Sequence, residues 1–365
     1  ADNNDRVVIG RLEGKEEITE PNLQAFVQYI QNADIKLKSI TINGASLSIT
    51  SKTSADRKKM LDLGRAPFGK AVMVFYTTEV KKEDLNDALK RAAELIHDSE
   101  VILFASGAGL GVDSGLPDFR GPTGFWKAYP PMKHLGLEFS QMSNPSWFKK
   151  DPAFAWGFWS HRYHLYDSTE PHSGFDIMKS WAAQKKDHFC FTSNVDGHWQ
   201  KKGFAPEKVY ECHGSVHAMQ CTIACCEKFW PTTDFKIPSI DANFRAQGEL
   251  PKCPECNQLA RPCVMMFGDG GYIDARDNIQ YKNYMEFMYK VQKNKLKTVV
   301  VEIGAGNAVP TVRYTSEQVC SRAGATLIRI NPRDQEVPSR EHVSLPIGGL
   351  KALQSIDALL KEMKK

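Results

Sequence analysis

Two stretches near the middle of the chain have the residue types and spacing to do acid–base chemistry. His213 ends a short apolar run, Val209-Tyr-Glu-Cys, and precedes Gly214-Ser215. A histidine at the end of a strand points into a cleft, and its imidazole can act as a general base near neutral pH. Asn194 and Asp196 lie in a polar turn, Thr192-Ser193-Asn194-Val195-Asp196-Gly197, that closes a second run starting at His188. Ligands collect at the carboxyl ends of strands in open α/β sheets, so both strand ends can serve one site. Taken singly, the histidine reads as structural and the turn as ordinary turn formers. Their pairing shifts the balance toward chemistry.

Thiols form the next cluster. Of nine cysteines, Cys221, Cys225, Cys226, Cys253 and Cys256 fall close together. Cys253-Pro-Glu-Cys256 is a zinc-knuckle spacing, because both thiolates can reach one ion at about 2.3 Å. The first half is irregular, with Cys225 and Cys226 adjacent. The expected ligands are Cys221, Cys225, Cys253 and Cys256, with Cys226 competing for the place of Cys225. Four thiolates make a closed, structural zinc site. The odd count and the clustering favour reduced thiols over a secreted disulfide framework, and hence an intracellular setting in cytoplasm or nucleus.

Glycines mark a third feature. Val101 to Ala105 reads as a buried parallel strand, followed by Gly107-Ala108-Gly109. Glycines there let the backbone approach a pyrophosphate and cradle its charge with amides. Thr298 to Ile303 repeats the pattern and runs into Gly304-Ala305-Gly306, and Thr326 to Asn331 reads as a further strand.

These residues need a sheet to hold them. Leu85, Ala88, Ala92, Leu95 and Ile96 form a helical stripe leading into the Val101 strand, and Leu350 to Met363 forms an amphipathic terminal helix. Trp147 to Tyr166 has helical spacing of aromatics and reads as core, with His161, Arg162 and His164 expected on its solvated side. The stretch from Gly124 to Pro131 reads as loop with short helices. Residues 1–80 differ from the rest. Arg6 to Ile9 and Lys70 to Tyr76 read as strands, Pro21 to Gln31 as a helix, and Ile40 to Thr50 as strand structure turning at Asn43-Gly44. The expected domains are this small α+β appendage, a main domain over 82–365, and a zinc module inserted at 217–262. A length of 365 residues suits such a plan, and the net charge of +4 does not mark a nucleic-acid binder. No apolar run of about 18 residues predicts a membrane span, and the first residues show no signal-peptide pattern.

The order Gly-Ala-Gly, then Asn-x-Asp-Gly, then His-Gly-Ser, together with Leu116-Pro117-Asp118-Phe119-Arg120-Gly121, resembles that of the sirtuins, NAD-dependent protein-lysine deacylases. The resemblance spans residues 82–365 and leaves the first 80 outside, with no partner implied for them. It implies a doubly wound, Rossmann-like parallel sheet that binds NAD, with a small zinc module inserted and the cleft between them. The acyl oxygen of an acyl-lysine would attack the nicotinamide ribose, releasing nicotinamide and, in the end, free lysine and O-acyl-ADP-ribose. By the same resemblance Asn194 orients the ribose and a water, Asp196 holds the nicotinamide amide, and His213 takes a ribose proton. Phe119 shields the reactive face, and Asp118, Arg120 and Ser193 belong to the NAD site with Gly107, Ala108 and Gly109. Gly304, Ala305 and Gly306 correspond to the late NAD loop and Asn331 to the adenosine-side asparagine. Val264, Met265, Phe267, Gly268 and Asp269 correspond to the segment that receives a substrate peptide as an added strand.

The chain also departs from the pattern. Ser193 replaces a usual glutamine, His198 and Trp199 replace leucine and histidine, Gly111 stands where serine is common, and Arg333 stands where an acid is common. An NAD glycohydrolase or ADP-ribosyltransferase, and a catalytically silent NAD sensor, remain alternatives to deacylation. Trp159 and Arg162 align with a tyrosine and an arginine of the desuccinylase branch. Because Arg162 is expected on the surface, the expected substrates are neutral acyl groups, with acetyl as default and acidic acyl groups as the alternative.

Overall fold

The computed structural model describes residues 7–13, 19–43, 46–52, 54–63, 65–68, 71–77, 84–118 and 121–363. They fall into two compact units, Ala1–Asp84 and Leu85–Lys365. In the first, short strands, alternating in hydrophobicity at Ile40, Ile42, Leu47 and Ile49, form an antiparallel five-stranded sheet in the order Leu37–Asn43, Ser46–Ser51, Val7–Glu13, Ala71–Thr77, Arg65–Phe68. Asn43 pairs with Ser46, and Gly44 of the turn expected there lies outside the described residues. Helix Glu20–Asn32 has proline in its first turn and buries Phe26 and Ile30, one helical turn apart, against Leu47, Ile49 and Phe68. Helix Ser54–Leu63 and strand Arg65–Phe68 have no counterpart in the sequence reading.

The second unit is built on a six-stranded sheet in the order Val343–Leu345, Thr326–Ile330, Thr298–Ile303, Val101–Ser106, Asp187–Thr192, Val209–Glu211. Every pairing is parallel. Alternate residues of each strand feed opposite faces. Ile102, Phe104, Val301 and Ile328 pack under helices Leu85–Asp98, Gly174–Ala182 and Gly349–Glu362. Val101, Leu103, Val300 and Leu327 pack under helices Ala275–Lys293 and Thr311–Ala323. This is the doubly wound, Rossmann-like sheet expected. Because all six strands run the same way, the turns after Ser106, Thr192, Glu211 and Ile303 emerge at one edge.

A smaller module is inserted into this plan. Its sheet has the order Phe229–Pro231, Gly214–Cys221, Ala260–Val264 and is antiparallel. It packs on the aromatic helix Pro152–Ser168 through Trp156, Phe158, Trp159, Val216 and Met219. The helical stretch read as continuous from Trp147 is broken into Trp147–Lys150 and Pro152–Ser168. Pro152 cannot continue the first helix, whereas it suits the first position of the second. The Asp151 carboxylate caps the second helix by accepting from the Phe154 amide at 3.1 Å, and is itself gripped by both arms of Arg245 at 2.8 and 2.9 Å. Among the described residues, no helix is long and apolar enough to cross a membrane.

Candidate active site

The strand ends meet around a cavity of about 770 Å³. Its floor is two glycine turns locked together. The Gly109 amide donates to the Gly304 carbonyl at 3.0 Å, and the Gly107 amide to the Ile303 carbonyl at 3.1 Å. A Cβ on Gly109 would lie 2.6 Å from the Gly304 Cα, and Gly304 itself adopts φ +65°, which side-chain-bearing residues avoid. Gly109 is therefore required by the approach of one turn to the other, rather than directly by a phosphate. Gly107 and Ala108 line the cavity from the first turn, and Gly304, Ala305 and Gly306 from the second.

Strand Asp187–Thr192 delivers the polar turn. Asn194 donates its side-chain amide to the Gly107 carbonyl at 3.0 Å, and its backbone amide to Thr192 Oγ1 at 3.1 Å. What it can present to a ligand is chiefly its carbonyl oxygen. Ser193 and Asp196 line the same wall. Burial pushes the Asp196 carboxyl above its ordinary pKa, with the nearby His198 opposing the shift. Asp196 Oδ1 accepts from the His198 amide at 2.9 Å, and its backbone carbonyl is 2.9 Å from His217 Nε2. The two departures after Gly197 have packing roles. His198 is buried, and Trp199 donates from Nε1 to Ser106 Oγ at 3.1 Å, tying this turn back to the central strand.

His213 lines the same cavity as Asn194 and Asp196. Burial lowers its pKa below the ordinary 6.5, while a hydrogen bond with the Ser193 backbone works the other way. The imidazole is therefore neutral at neutral pH, the state a proton acceptor needs.

Beyond His213 the wall becomes apolar and opens onto a sheet edge. Strand Ala260–Val264 is the edge of the module's sheet, with Val264 paired to Gly214. The chain continues with the Met265 amide donating to the His213 carbonyl at 2.9 Å and the Phe267 amide to the Ser143 carbonyl at 2.9 Å. Val264, Met265, Met266 and Phe267 line the cavity, and Met265 and Phe267 remain exposed.

Besides Gly109, three of the expected site residues lie off the cavity wall. Asp269 forms a buried, two-pronged ion pair with Arg261 at 2.7 and 2.9 Å, and accepts from the Met266 and Gly271 amides. It holds the shape of the segment after Val264 and is off the cavity wall, as is Gly268. Asn331 is buried, donating to the Ala305 carbonyl at 2.8 Å and accepting from the Arg333 and Asp334 amides, so it fixes the turn and Asp334 takes the wall position. Asp118 lines the wall and pairs with Arg333. Phe119 and Arg120 lie outside the described residues.

The largest correction concerns Arg162. It is buried and lines the cavity instead of pointing to solvent. Its Nε and Nη2 donate to Tyr166 Oη at 3.0 and 2.6 Å, and its guanidinium sits 4.9–5.5 Å from the rings of Phe139, Phe158, Trp159 and Tyr166. Helix Pro152–Ser168 is buried all round over residues 154–160, and its exposed residues, His164, Asp167 and Ser168, lie on the side away from Arg162 and Tyr166. Of two further wall residues, Tyr166 has no signal in the sequence beyond the aromatic spacing and Phe139 has none.

The thiols form a second centre. Strand Gly214–Cys221 ends at Cys221, and Cys225, Cys253 and Cys256 converge on it, with all four sulfurs within 4.8 Å of one another. Cys221 and Cys256 are 3.6 Å apart, and Cys225 and Cys253 3.7 Å. A tetrahedron with zinc–sulfur bonds of about 2.3 Å has edges of about 3.8 Å, so the cluster fits zinc. One zinc per chain is the expected result of elemental analysis. Stripping it with a chelator should unfold the module and shift the emission of Trp156, whose Nε1 donates to the Ala260 carbonyl beside the knuckle. A fully active, folded chain without metal would contradict this.

Comparison with known proteins gives a consistent result. The sequence profile of the Sir2 family matches residues 107–300. An NAD-dependent protein deacylase of Aquifex aeolicus is 26% identical over 236 residues, covering 65% of this chain and 85% of that one. An NAD-dependent protein deacetylase of Saccharolobus solfataricus is 29% identical over 239 residues, covering 66% and 83%. Among solved structures, a Sir2 homologue in complex with NAD superposes with a TM-score of 0.57 at 22% identity, covering 76% of this chain and 95% of that one.

Proposed function

Because this chain belongs to the Sir2 family, we propose that it removes acyl groups from protein lysines with NAD as the acyl acceptor. The observation that best supports this is the convergence of Asn194, Asp196 and His213 on one cavity whose floor is two glycine turns and whose far wall is an open sheet edge. NAD supplies the ribose carbon that becomes electrophilic as nicotinamide leaves. The residues around it have separable tasks. The floor turns hold the phosphates, and Asp196, buried and raised in pKa, engages the carboxamide of nicotinamide. Asn194, anchored to Gly107, orients the ribose through its oxygen. One ring nitrogen of His213 is engaged with the Ser193 backbone, and the other takes a proton from a ribose hydroxyl. A substrate peptide lies along Val264 to Phe267, donating to the carbonyls that this segment leaves over once the Met265, Met266 and Phe267 amides are engaged, with its acyl-lysine directed into the cavity. On this reading residues 82–365 are the catalytic part and 217–262 an inserted zinc module. The first unit lies outside the chemistry, and the compartment is intracellular, in keeping with nine unpaired cysteines.

The deciding assay incubates the full chain with NAD and acyl-lysine peptides and follows nicotinamide, peptide mass and O-acyl-ADP-ribose together. All three should change in step. Nicotinamide release without a change in acyl-lysine would mark NAD hydrolysis or ADP-ribosyl transfer instead, and none at all a silent sensor.

The position of Arg162 favours a second reading of acyl choice. A guanidinium packed among the rings of Phe139, Phe158, Trp159 and Tyr166 on the cavity wall attracts an acyl chain that ends in a carboxylate. Arg162→Met should then reduce turnover of succinyl-lysine about ten- to a hundredfold more than turnover of acetyl-lysine in the same peptide. Equal losses on both would restrict Arg162 to holding Tyr166.

A further inference from the structure

One thiol beside the zinc cluster has no part in it. Cys226 is partly exposed, and its sulfur lies 3.9 Å from that of Cys225. Among the four clustered sulfurs, Cys225 belongs to the exposed residue, while Cys221 and Cys253 are buried and Cys256 is intermediate. We propose that Cys226 is a reserve zinc ligand that takes the corner of the site held by Cys225 when that thiolate is oxidised. The proposal rests on the zinc reading of the cluster.

Exposure makes Cys225 the ligand a dissolved oxidant meets first. The separation of 3.9 Å is close to one edge of the zinc–sulfur tetrahedron, so the second sulfur waits about one ligand position away. A change of χ1 well covers most of that distance. Two features keep Cys226 close. The other three ligands come from the end of a strand and from the Cys253–Cys256 turn, whose Cys253 amide donates to the Gln258 carbonyl. Lys228 then bridges to Glu255 at 2.9 Å, tying the segment after Cys226 to that turn. A direct disulfide between Cys225 and Cys226 is a poor alternative. Consecutive Cα atoms are about 3.8 Å apart, whereas unstrained disulfides need about 4.4–6.8 Å. The neighbour's thiol is better used on the metal.

With hydrogen peroxide as oxidant the step balances. The Cys225 thiolate attacks one peroxide oxygen; the S–O bond forms, the O–O bond breaks and hydroxide leaves. Sulfur is oxidised to a sulfenic acid and the peroxide is reduced. Hydroxide takes the Cys226 thiol proton to give water, and the new thiolate binds the zinc that Cys225 releases.

The test uses the zinc-loaded full chain as wild type, Cys225→Ala, Cys226→Ala and the double variant. Metal content is measured by elemental analysis, zinc release under peroxide by a chelating dye, and oxidation of Cys225 by peptide mass. Each single variant should retain about one zinc per chain and the double variant well under half. Under peroxide that converts Cys225 to the sulfenic acid, wild type should keep its zinc while Cys226→Ala releases it at least tenfold faster. Equal release from wild type and Cys226→Ala overturns the proposal, and so does a Cys225→Ala chain as poor in zinc as the double variant. If Cys225→Ala does not fold, the peroxide comparison decides alone, since Cys226→Ala removes no member of the cluster. Wild type that holds no zinc would defeat the zinc reading itself, a failure distinct from equal release by two zinc-loaded proteins.

Discussion

Replacing His213 by alanine should lower turnover of an acyl-lysine peptide by about 10²-fold or more while leaving NAD affinity nearly unchanged. The side chain lines the cavity without building its floor, which consists of the two glycine turns, so its loss removes a proton acceptor and little binding surface. The pH dependence has a definite sign. Burial holds the imidazole below its ordinary pKa of 6.5, so the active, neutral form persists to lower pH than in a solvated histidine. As pH falls through that lowered value the base becomes protonated and kcat/KM falls; above it kcat/KM is flat with respect to this group. The acid limb should therefore lie below pH 6.5 and disappear in His213→Ala, whose residual rate is small and insensitive over that range. Titrating kcat/KM for both proteins checks this. Near-normal turnover, or an acid limb that survives the substitution, would remove His213 from the proton transfer.

Asp269→Ala should destabilise the second unit by about 3–5 kcal/mol, because it leaves the Arg261 guanidinium buried without its carboxylate. The backbone around Met266 and Gly271 loses two acceptors at the same time, so the edge that receives the peptide loses its shape. Peptide KM should rise with little change in kcat at saturation. Denaturant unfolding and steady-state kinetics on the same preparations separate this from the role its position in sequence suggests. A residue that only touched substrate would change KM while leaving stability within about 0.5 kcal/mol of wild type.

Asp269 also shows where sequence reading stops. The motif places it beside Phe267 and Gly268 in a substrate segment, but its partner Arg261 is fixed by a bend of the chain after Val264, which no local pattern announces. Arg162 is the converse case. Periodicity finds a helix there and cannot orient it, because the helix is buried on all sides over residues 154–160 and shows polar, exposed residues only near its end, at His164, Asp167 and Ser168. By contrast, the strands ending at Ser106, Thr192, Glu211 and Ile303 are legible, since buried parallel strands are short unbroken apolar runs followed by turn residues. The thiols that the structure brings together are legible for a similar reason, because a metal imposes local spacing on its ligands. The edge strand Val343–Leu345 and helix Ser54–Leu63 escape detection. The first is too short for a pattern, and the second crowds Met60, Leu61 and Leu63 into its last turn instead of repeating them.

The two interlocked glycine turns have a consequence for how this cavity can change. Gly109 and Gly304 occupy each other's side-chain space, so an alanine at either is opposed by main chain that cannot rotate away. No single replacement relieves the other, and a second one only adds another methyl group to the same gap. The floor is thus one mutational unit with no open single-step path out of glycine. Variation that retunes the site is confined to its walls, at positions such as Arg162, Phe139 and Phe267, where neighbours are side chains and can be exchanged one at a time. A library randomised at the walls should yield folded proteins with altered acyl preference, and one randomised at the floor should yield few folded proteins at all.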